Sequence, residues 1–208
     1  MPQAMRLVRA ASTSIARLPP EASLPIIQRV EIVCDRVDAI EPRLRSLLPE
    51  AGRRERLRRE ATTLEGGGTL PALRGLLLGV KDIMRADGFP TRCGSGLPAE
   101  AFEGAADLSE ENGAVTAAKA SGALVLGKTH TTEFANMETA ATTNPWDPTR
   151  TPGGSSQGSA AAVAAGASLA TCSFRHAWTA DVHMPARPYA RTPTRPRGHP
   201  PALVRRLV

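Results

Sequence analysis

The stretch GLLLGVKD, residues 75–82, is a short run of apolar residues that ends in a charged pair. Continuous apolar runs of this length are typical of strands that are buried on both faces of a parallel sheet. A second run of this kind, ALVL at residues 123–126, follows a helical pattern over residues 111–121 that Gly122 closes. The order strand, helix, strand predicts an α/β fold with a parallel sheet.

Helical patterns lie on both sides of this strand region. Residues 20–48 carry apolar side chains at helical spacing, and Glu41-Pro42 predicts a break in that helix or the start of a new one. Residues 49–64 indicate a charged helix with a thin apolar face, and residues 158–169 indicate an Ala-rich helix. The expected fold class is therefore a mixed, largely parallel α/β sheet flanked by helices.

The basic charge of the chain is concentrated at its C-terminal end. The formal net charge is +6, which by itself would indicate a nucleic-acid partner. Residues 171–208 contain seven arginines against the single acid Asp181, and the rest has nineteen basic and nineteen acidic residues. The body of the protein is therefore neutral. We do not expect a nucleic-acid partner, because such a tail gives only non-specific, salt-sensitive attraction.

Composition divides the chain into three parts. Residues 1–19 are basic and contain Arg and Ser, the composition of either an ordinary frayed N-terminus or an organellar transit peptide. We favour the former, with a cytoplasmic location. Residues 20–171 carry the periodic patterns of a folded domain. Residues 172–208 are expected to be a divergent, disordered tail, because residues 185–208 hold six prolines and six arginines without periodicity.

Neither a metal site, a cofactor nor a membrane span is expected. The three cysteines, Cys34, Cys93 and Cys172, are scattered and odd in number. That pattern favours free thiols in a reducing compartment over a disulfide framework or a zinc site. No run of eighteen apolar residues occurs, whereas a membrane-spanning helix needs about 20. The sequence does not indicate the oligomeric state.

Lys81 is the first candidate for chemistry, because it directly follows the apolar run of residues 75–80. A lysine at the end of a buried strand is partly desolvated, and desolvation favours its neutral, basic form. A neutral lysine can take a proton from a hydroxyl and so activate a serine. Alone, however, a lysine at a strand end is more often a surface or ion-paired residue.

The second candidate is the loop TPGGSSQGS, residues 151–159, which runs straight into the Ala-rich helix. Its glycines allow unusual backbone angles and the close approach of another chain segment. Hydroxyl and N–H groups at a helix N-terminus favour negative charge. The loop could hold an oxyanion, could hold a phosphate, or could be an ordinary capped turn. The phosphate interpretation is the poorer one, because the loop lacks the Gly-Lys-Ser/Thr ending of a P-loop.

Three passages in the same order resemble the amidase-signature family. They are GVKD (79–82), GALVLGKTHTTEFA (122–135) and NPWDPTRTPGGSSQGSAAAVAAG (144–166). The third passage is long, and it stands in the expected strand–loop–helix context. The resemblance covers residues 73–169 and is weaker in the N-terminal helices. It implies an enzyme that hydrolyses carbon–nitrogen bonds of small-molecule amides through a Ser–cis-Ser–Lys triad.

The resemblance also assigns roles to particular residues. Lys81 corresponds to the general base, and Ser155 to the bridging serine whose preceding peptide bond is cis. In the family mechanism the lysine deprotonates a second, nucleophilic serine through this bridge, and an acyl-enzyme forms and is hydrolysed. Residues that resemble supporting or substrate-binding positions are Ser156, Thr132, Glu133 and Met137.

The sequence departs from the family where the nucleophilic serine should stand. The family pattern ends its next strand in a Gly-Thr-x-Thr-x-Gly-Ser turn, but here the chain reads ATCSFRHAWTADVHMPA over residues 170–186. Depending on the alignment, the nucleophile position falls on Thr179 or on Asp181. Without the glycine turn the oxyanion donors are missing as well, and losing one such donor costs roughly 10²–10³-fold in rate.

Two explanations of this departure stay open: a C-terminal truncation with a replaced end, and a shifted reading frame near codon 172. The abrupt Pro/Arg composition favours the frame shift, because out-of-frame GC-rich sequence tends to yield Arg, Pro and Ala. The sequence therefore predicts an amide hydrolase of doubtful activity. A catalytically inactive amidase fragment or pseudoenzyme is the first alternative, and association with nucleic acid through the basic tail is the second.

Overall fold

The computed structural model of the protein describes residues 23–66, 71–102, 110–136, 141–168, 170–173 and 176–179. Residues 176–179 are described by their backbone alone. Four strands form one sheet in the order β2-β1-β3-β4. The strands are β1 (Leu77–Lys81), β2 (Leu124–Thr129), β3 (Ala170–Ser173) and β4 (His176–Thr179). The β1 strand is parallel to β2 and to β3, whereas β3 and β4 are antiparallel. The predicted mixed, largely parallel sheet is confirmed.

Helices cover both faces of the sheet, as predicted. They are α1 (Ile26–Leu44), α2 (Arg53–Glu65), α3 (Gly113–Ala120) and α4 (Gln157–Ala164), with short 3₁₀ turns at Ala99–Phe102 and Glu133–Ala135. The side chain of Asn112 caps α3 by accepting a hydrogen bond from the Ala114 amide at 3.0 Å. No helix among these described segments is long and apolar enough to cross a membrane.

The predicted break at Glu41-Pro42 is wrong, because α1 continues through Pro42 to Leu44. Proline removes one helical N–H donor, but the following turn is held from elsewhere. The Glu41 carboxylate accepts hydrogen bonds from the amides of Ser46 and Leu47 at 3.0 and 3.1 Å. The helix ends at Leu44 because Arg45 adopts a left-handed conformation, with its amide bonded to the Glu41 carbonyl at 3.0 Å, and Leu47 then pairs with Thr129 at the end of β2.

Two apolar layers lie on opposite faces of the sheet because successive strand residues point to opposite sides. Leu77 of β1 packs in the layer formed by α1, α2 and α4, together with Leu124 and Leu126. Leu78 and Val80 pack in the layer that contains residues of α3. Both β1 and β2 are buried along their whole length, which explains why their sequences are continuously apolar rather than alternating.

The predicted domain boundary between residues 171 and 172 falls inside β3. The tail that we expected to be disordered also contributes β4, which pairs with all four residues of β3. A short strand of this kind satisfies the backbone groups along one edge of the sheet. Residues 1–22 and 180–208 lie outside the described residues, so the expectations for the N-terminus and for the rest of the tail remain predictions.

Candidate active site

Lys81 and Ser155 are brought together at the carboxyl end of β1. The Lys81 Nζ atom donates a hydrogen bond to Ser155 Oγ at 2.8 Å. Lys81 is the last residue of β1, where it lies beside Thr129 of β2, and only 4% of its surface is exposed. Burial lowers the pKa of Lys81 below its ordinary value, because desolvation penalises the ammonium form. The carboxyl end of β1, which we call the Lys81–Ser155 corner, can therefore hold a lysine that shares a proton with a serine.

The loop after residue 150 holds Ser155 by its backbone. The Ser155 carbonyl accepts hydrogen bonds from Thr131 Oγ1 and from the Thr132 amide, both at 3.0 Å. The peptide bond between Gly154 and Ser155 is cis, as the resemblance implied. A Cβ atom at Gly154 would lie 3.1 Å from Thr132 Cγ2, so the glycine lets the loop approach the end of β2 closely. These contacts fix where the Ser155 hydroxyl lies.

The first turn of α4 is clamped against the segment that follows β2. The Gly158 amide donates to the His130 carbonyl at 3.0 Å, and the His130 amide donates to the Ser46 carbonyl at 2.9 Å. One residue further along α4, the Ser159 hydroxyl lies 2.7 Å from that of Thr129. The start of α4, which follows the loop that carries Ser155, is thus tied directly to β2 and to the segment after it.

A buried ion pair lies beside this corner, and the sequence did not single it out as functional. Lys128 Nζ is 2.9 Å from Asp82 Oδ1, and the two side chains are 2% and 1% exposed. Burial lowers the pKa of Lys128, and Asp82 partly offsets that effect. Asp82 ends the passage GVKD (79–82), and Lys128 lies within the passage GALVLGKTHTTEFA (122–135). A charged residue at the end of each buried strand was the only signal available for them.

The remaining predicted site residues are only partly gathered at this corner. Thr132 Oγ1 is buried and has no hydrogen-bond partner within the described part of the chain. Glu133 opens the 3₁₀ turn that follows and is half-buried. Ser156 is the N-cap residue of α4, but its side chain makes no capping hydrogen bond. Met137 lies outside the described residues.

Thr179, the one candidate for the nucleophile position that the structure describes, does not lie at the Lys81–Ser155 corner. Thr179 pairs with Ala170, and Ala170 pairs with Leu78, three residues before Lys81. At ~3.3 Å per residue and ~4.8 Å per strand, the backbone of Thr179 lies about 10 Å back along the sheet and about 10 Å across it. Asp181 lies outside the described residues.

The chain is similar to known proteins over most of its described length. A family model described as Amidase matches residues 28–172. A glutamyl-tRNA(Gln) amidotransferase subunit from Oleidesulfovibrio alaskensis is 38% identical over 167 residues, which cover 76% of this chain and 33% of that protein. The protein of the same name from Desulfatibacillum aliphaticivorans is 40% identical over 141 residues, which cover 64% and 28%.

The chain is also similar to solved structures of amidases. The native peptide amidase of Stenotrophomonas maltophilia matches with a TM-score of 0.59 at 25% identity, over 72% of this chain and 33% of that one. A bacterial aryl acylamidase matches with a TM-score of 0.61 at 21% identity, over 82% and 34%, and shares the fold. The chain thus spans about a third of the length of the proteins that it matches.

Proposed function

The chain belongs to the amidase-signature family, and on that premise we propose that it carries the proton-transfer half of an amide-hydrolysing site. Lys81 is the general base and Ser155 is the relay. The observation that carries the proposal is the 2.8 Å hydrogen bond between Lys81 Nζ and Ser155 Oγ at a buried strand end. The substrate class is a small carboxamide, and the transfer needs no cofactor.

The burial of Lys81 supports its assignment as the base. With its amine neutral, Lys81 accepts the hydroxyl proton of Ser155, and Ser155 Oγ accepts the proton of the attacking nucleophile. Desolvation is the cause of the lowered pKa of Lys81, and it favours the neutral amine that this step requires. The two hydrogen bonds to the Ser155 carbonyl keep the relay oxygen in place while the proton moves.

The nucleophile is the missing member of the proposed mechanism. The position of β4 supports the alternative function, a catalytically inactive amidase fragment, because the backbone of Thr179 lies on an edge strand away from Lys81. In that case the chain keeps the base and the relay but has nothing for them to activate. Losing the nucleophile of a catalytic triad lowers kcat by roughly 10⁶-fold.

Ammonia release from simple carboxamides by the full 208-residue chain tests the proposal. We expect any turnover to be abolished by Lys81→Ala and by Ser155→Ala. Lys119→Ala is the matched control, because Lys119 is 41% exposed and pairs with Glu111 on the protein surface. Turnover that survives in Lys81→Ala would refute the role of the base. No turnover from a folded chain would favour the inactive fragment.

The gene sequence across codons 165–208 tests the origin of the divergent end. Translation in all three frames shows whether another frame restores a Gly-Thr-x-Thr-x-Gly-Ser turn. A restored turn would supply the nucleophile and favour an active hydrolase. If the present frame alone is open, the inactive fragment gains support.

A further inference from the structure

The buried Asp82–Lys128 ion pair holds the loop of residues 90–94 from two sides. Lys128 Nζ donates to the Pro90 carbonyl at 3.1 Å and to Thr91 Oγ1 at 2.7 Å. Asp82 Oδ2 accepts from the amides of Arg92 and Gly94 at 3.3 and 3.1 Å. A carboxylate and an ammonium that are both nearly inaccessible to water thus hold this five-residue loop at three backbone groups and one hydroxyl.

The same loop packs on the segment that holds Ser155. A Cβ atom at Gly94 would lie 2.6 Å from the Thr131 carbonyl oxygen and 3.2 Å from that of Thr132. The Phe134 amide donates to the Cys93 carbonyl at 2.8 Å. Since Thr131 and Thr132 bind the Ser155 carbonyl, the loop lies one contact away from the relay serine.

We propose that Asp82 and Lys128 are positioning residues for the Lys81–Ser155 pair. Their ion pair fixes the loop of residues 90–94, and the loop fixes the backbone that holds Ser155 opposite Lys81. The proposal rests on the proton relay proposed above. It also explains how a carboxylate can stand next in sequence to a lysine that acts as a base, because the Asp82 carboxylate is paired with the Lys128 ammonium.

The ionisable groups around this corner come from several segments. Asp82 follows β1, Lys128 belongs to β2, Cys93 lies in the loop, and His130 follows β2. Asp82 interacts electrostatically with each of the other three. Without Lys128, the carboxylate would lose its counter-ion and the loop would lose an anchor. An uncompensated carboxylate and renewed access of water both favour the ammonium form of Lys81.

The test is a direct titration of Lys81 by NMR in the full chain labelled with ¹³Cε-lysine. The chain has only three lysines, Lys81, Lys119 and Lys128, so each substitution removes one signal and assigns it. In Lys128→Met we expect the titration of Lys81 to move to higher pH, with about tenfold less neutral amine at a fixed pH below the midpoint. Lys128→Arg keeps the charge and should keep the titration of the unchanged chain, as should the control Lys119→Met.

The outcomes separate this proposal from the one on which it rests. If Lys81 of the unchanged chain titrates at or above the ordinary pKa of 10.5, the proposal that Lys81 is the general base is refuted, whatever the variants show. If Lys81 titrates below that value but does not move in a folded Lys128→Met chain, the ion pair is only structural and the positioning role is overturned.

A milder variant serves if Lys128→Met does not fold. Thr91→Val removes the hydroxyl that accepts from Lys128 and leaves the ion pair intact. We expect a smaller shift of Lys81 in the same direction, with faster hydrogen exchange at the Thr132 amide. An unchanged titration together with unchanged exchange would refute the proposal.

Discussion

Replacing Gly158 by alanine should destabilise the protein, although alanine is the better helix former. Gly158 is the second residue of α4, and Gly→Ala within a helix ordinarily stabilises by about 0.5–1 kcal/mol. Here a Cβ atom would lie 2.4 Å from both the His130 nitrogen and the Ser46 oxygen, and 2.8 Å from the His130 oxygen. All three are backbone atoms, so no flexible side chain can move aside.

The magnitude follows from what must shift. Overpacking of a tight contact costs about 1–3 kcal/mol. Displacing the start of α4 also disturbs the hydrogen bonds from Gly158 to His130 and from His130 to Ser46, each contributing about 0.5–1.5 kcal/mol. We therefore expect Gly158→Ala to lower the free energy of unfolding by about 2–6 kcal/mol.

Urea unfolding followed by circular dichroism measures the change, and the chain offers a matched control. Gly113 is the first residue of α3, and a Cβ atom there would meet nothing within 4 Å. Gly113→Ala should leave the free energy of unfolding unchanged or raise it by up to about 1 kcal/mol. Equal unfolding midpoints for the two variants would refute the view that α4 is clamped through Gly158.

Three further outcomes can be measured on the same material. Ser168→Ala should lower the free energy of unfolding by about 1–3 kcal/mol, because the Ser168 hydroxyl accepts a hydrogen bond from the buried Gly79 amide at 3.2 Å. Ser121 is less buried, so Ser121→Ala should lower the free energy of unfolding by less in the same urea titration. Burial lowers the pKa of Lys81 in the folded chain below 10.5. Between that lowered pKa and 10.5 the unfolded chain binds more protons than the folded chain, so the stability that Lys81 contributes rises with pH. Stability measured relative to Lys81→Met should therefore increase as the pH approaches 10.5, and a decrease would contradict the lowered value. Burial raises the pKa of Cys172 to about 11, so its alkylation in the folded chain should accelerate about tenfold per pH unit up to that value, whereas in urea the rate should level off near pH ~8.5.

The parts of the fold that the sequence predicted are those set by local pattern. The β1 and β2 strands were readable because each is a continuous apolar run, and that pattern arises from burial on both faces. The pairing of Lys81 with Ser155 was accessible only through the family resemblance, since 74 residues separate them. Neither residue by itself is distinguishable from an ordinary strand-end lysine or turn serine.

The parts that the sequence did not predict depend on contacts across the sheet. The Asp82–Lys128 pair needs the register that places the end of β1 beside the end of β2, and no local pattern specifies that register. The helix α1 continues through Pro42, and it ends only where Arg45 adopts a left-handed conformation, which the Glu41-Pro42 pair does not indicate. The requirement for glycine at position 158 comes from His130 and from Ser46, and Ser46 lies more than a hundred residues earlier in the chain.

The proposed base, Lys81, and the proposed relay, Ser155, are held by contacts that the described residues make. Lys81 comes from β1, and the carbonyl of Ser155 is held by the segment that follows β2. None of these contacts involves residues after 172, where the match to the family model ends. The loss of a nucleophile would therefore leave this half of the site in place. An assay for ammonia release tests whether the chain has a working nucleophile. The titration of Lys81 tests instead whether Lys81 and Ser155 are arranged to accept the proton of a nucleophile.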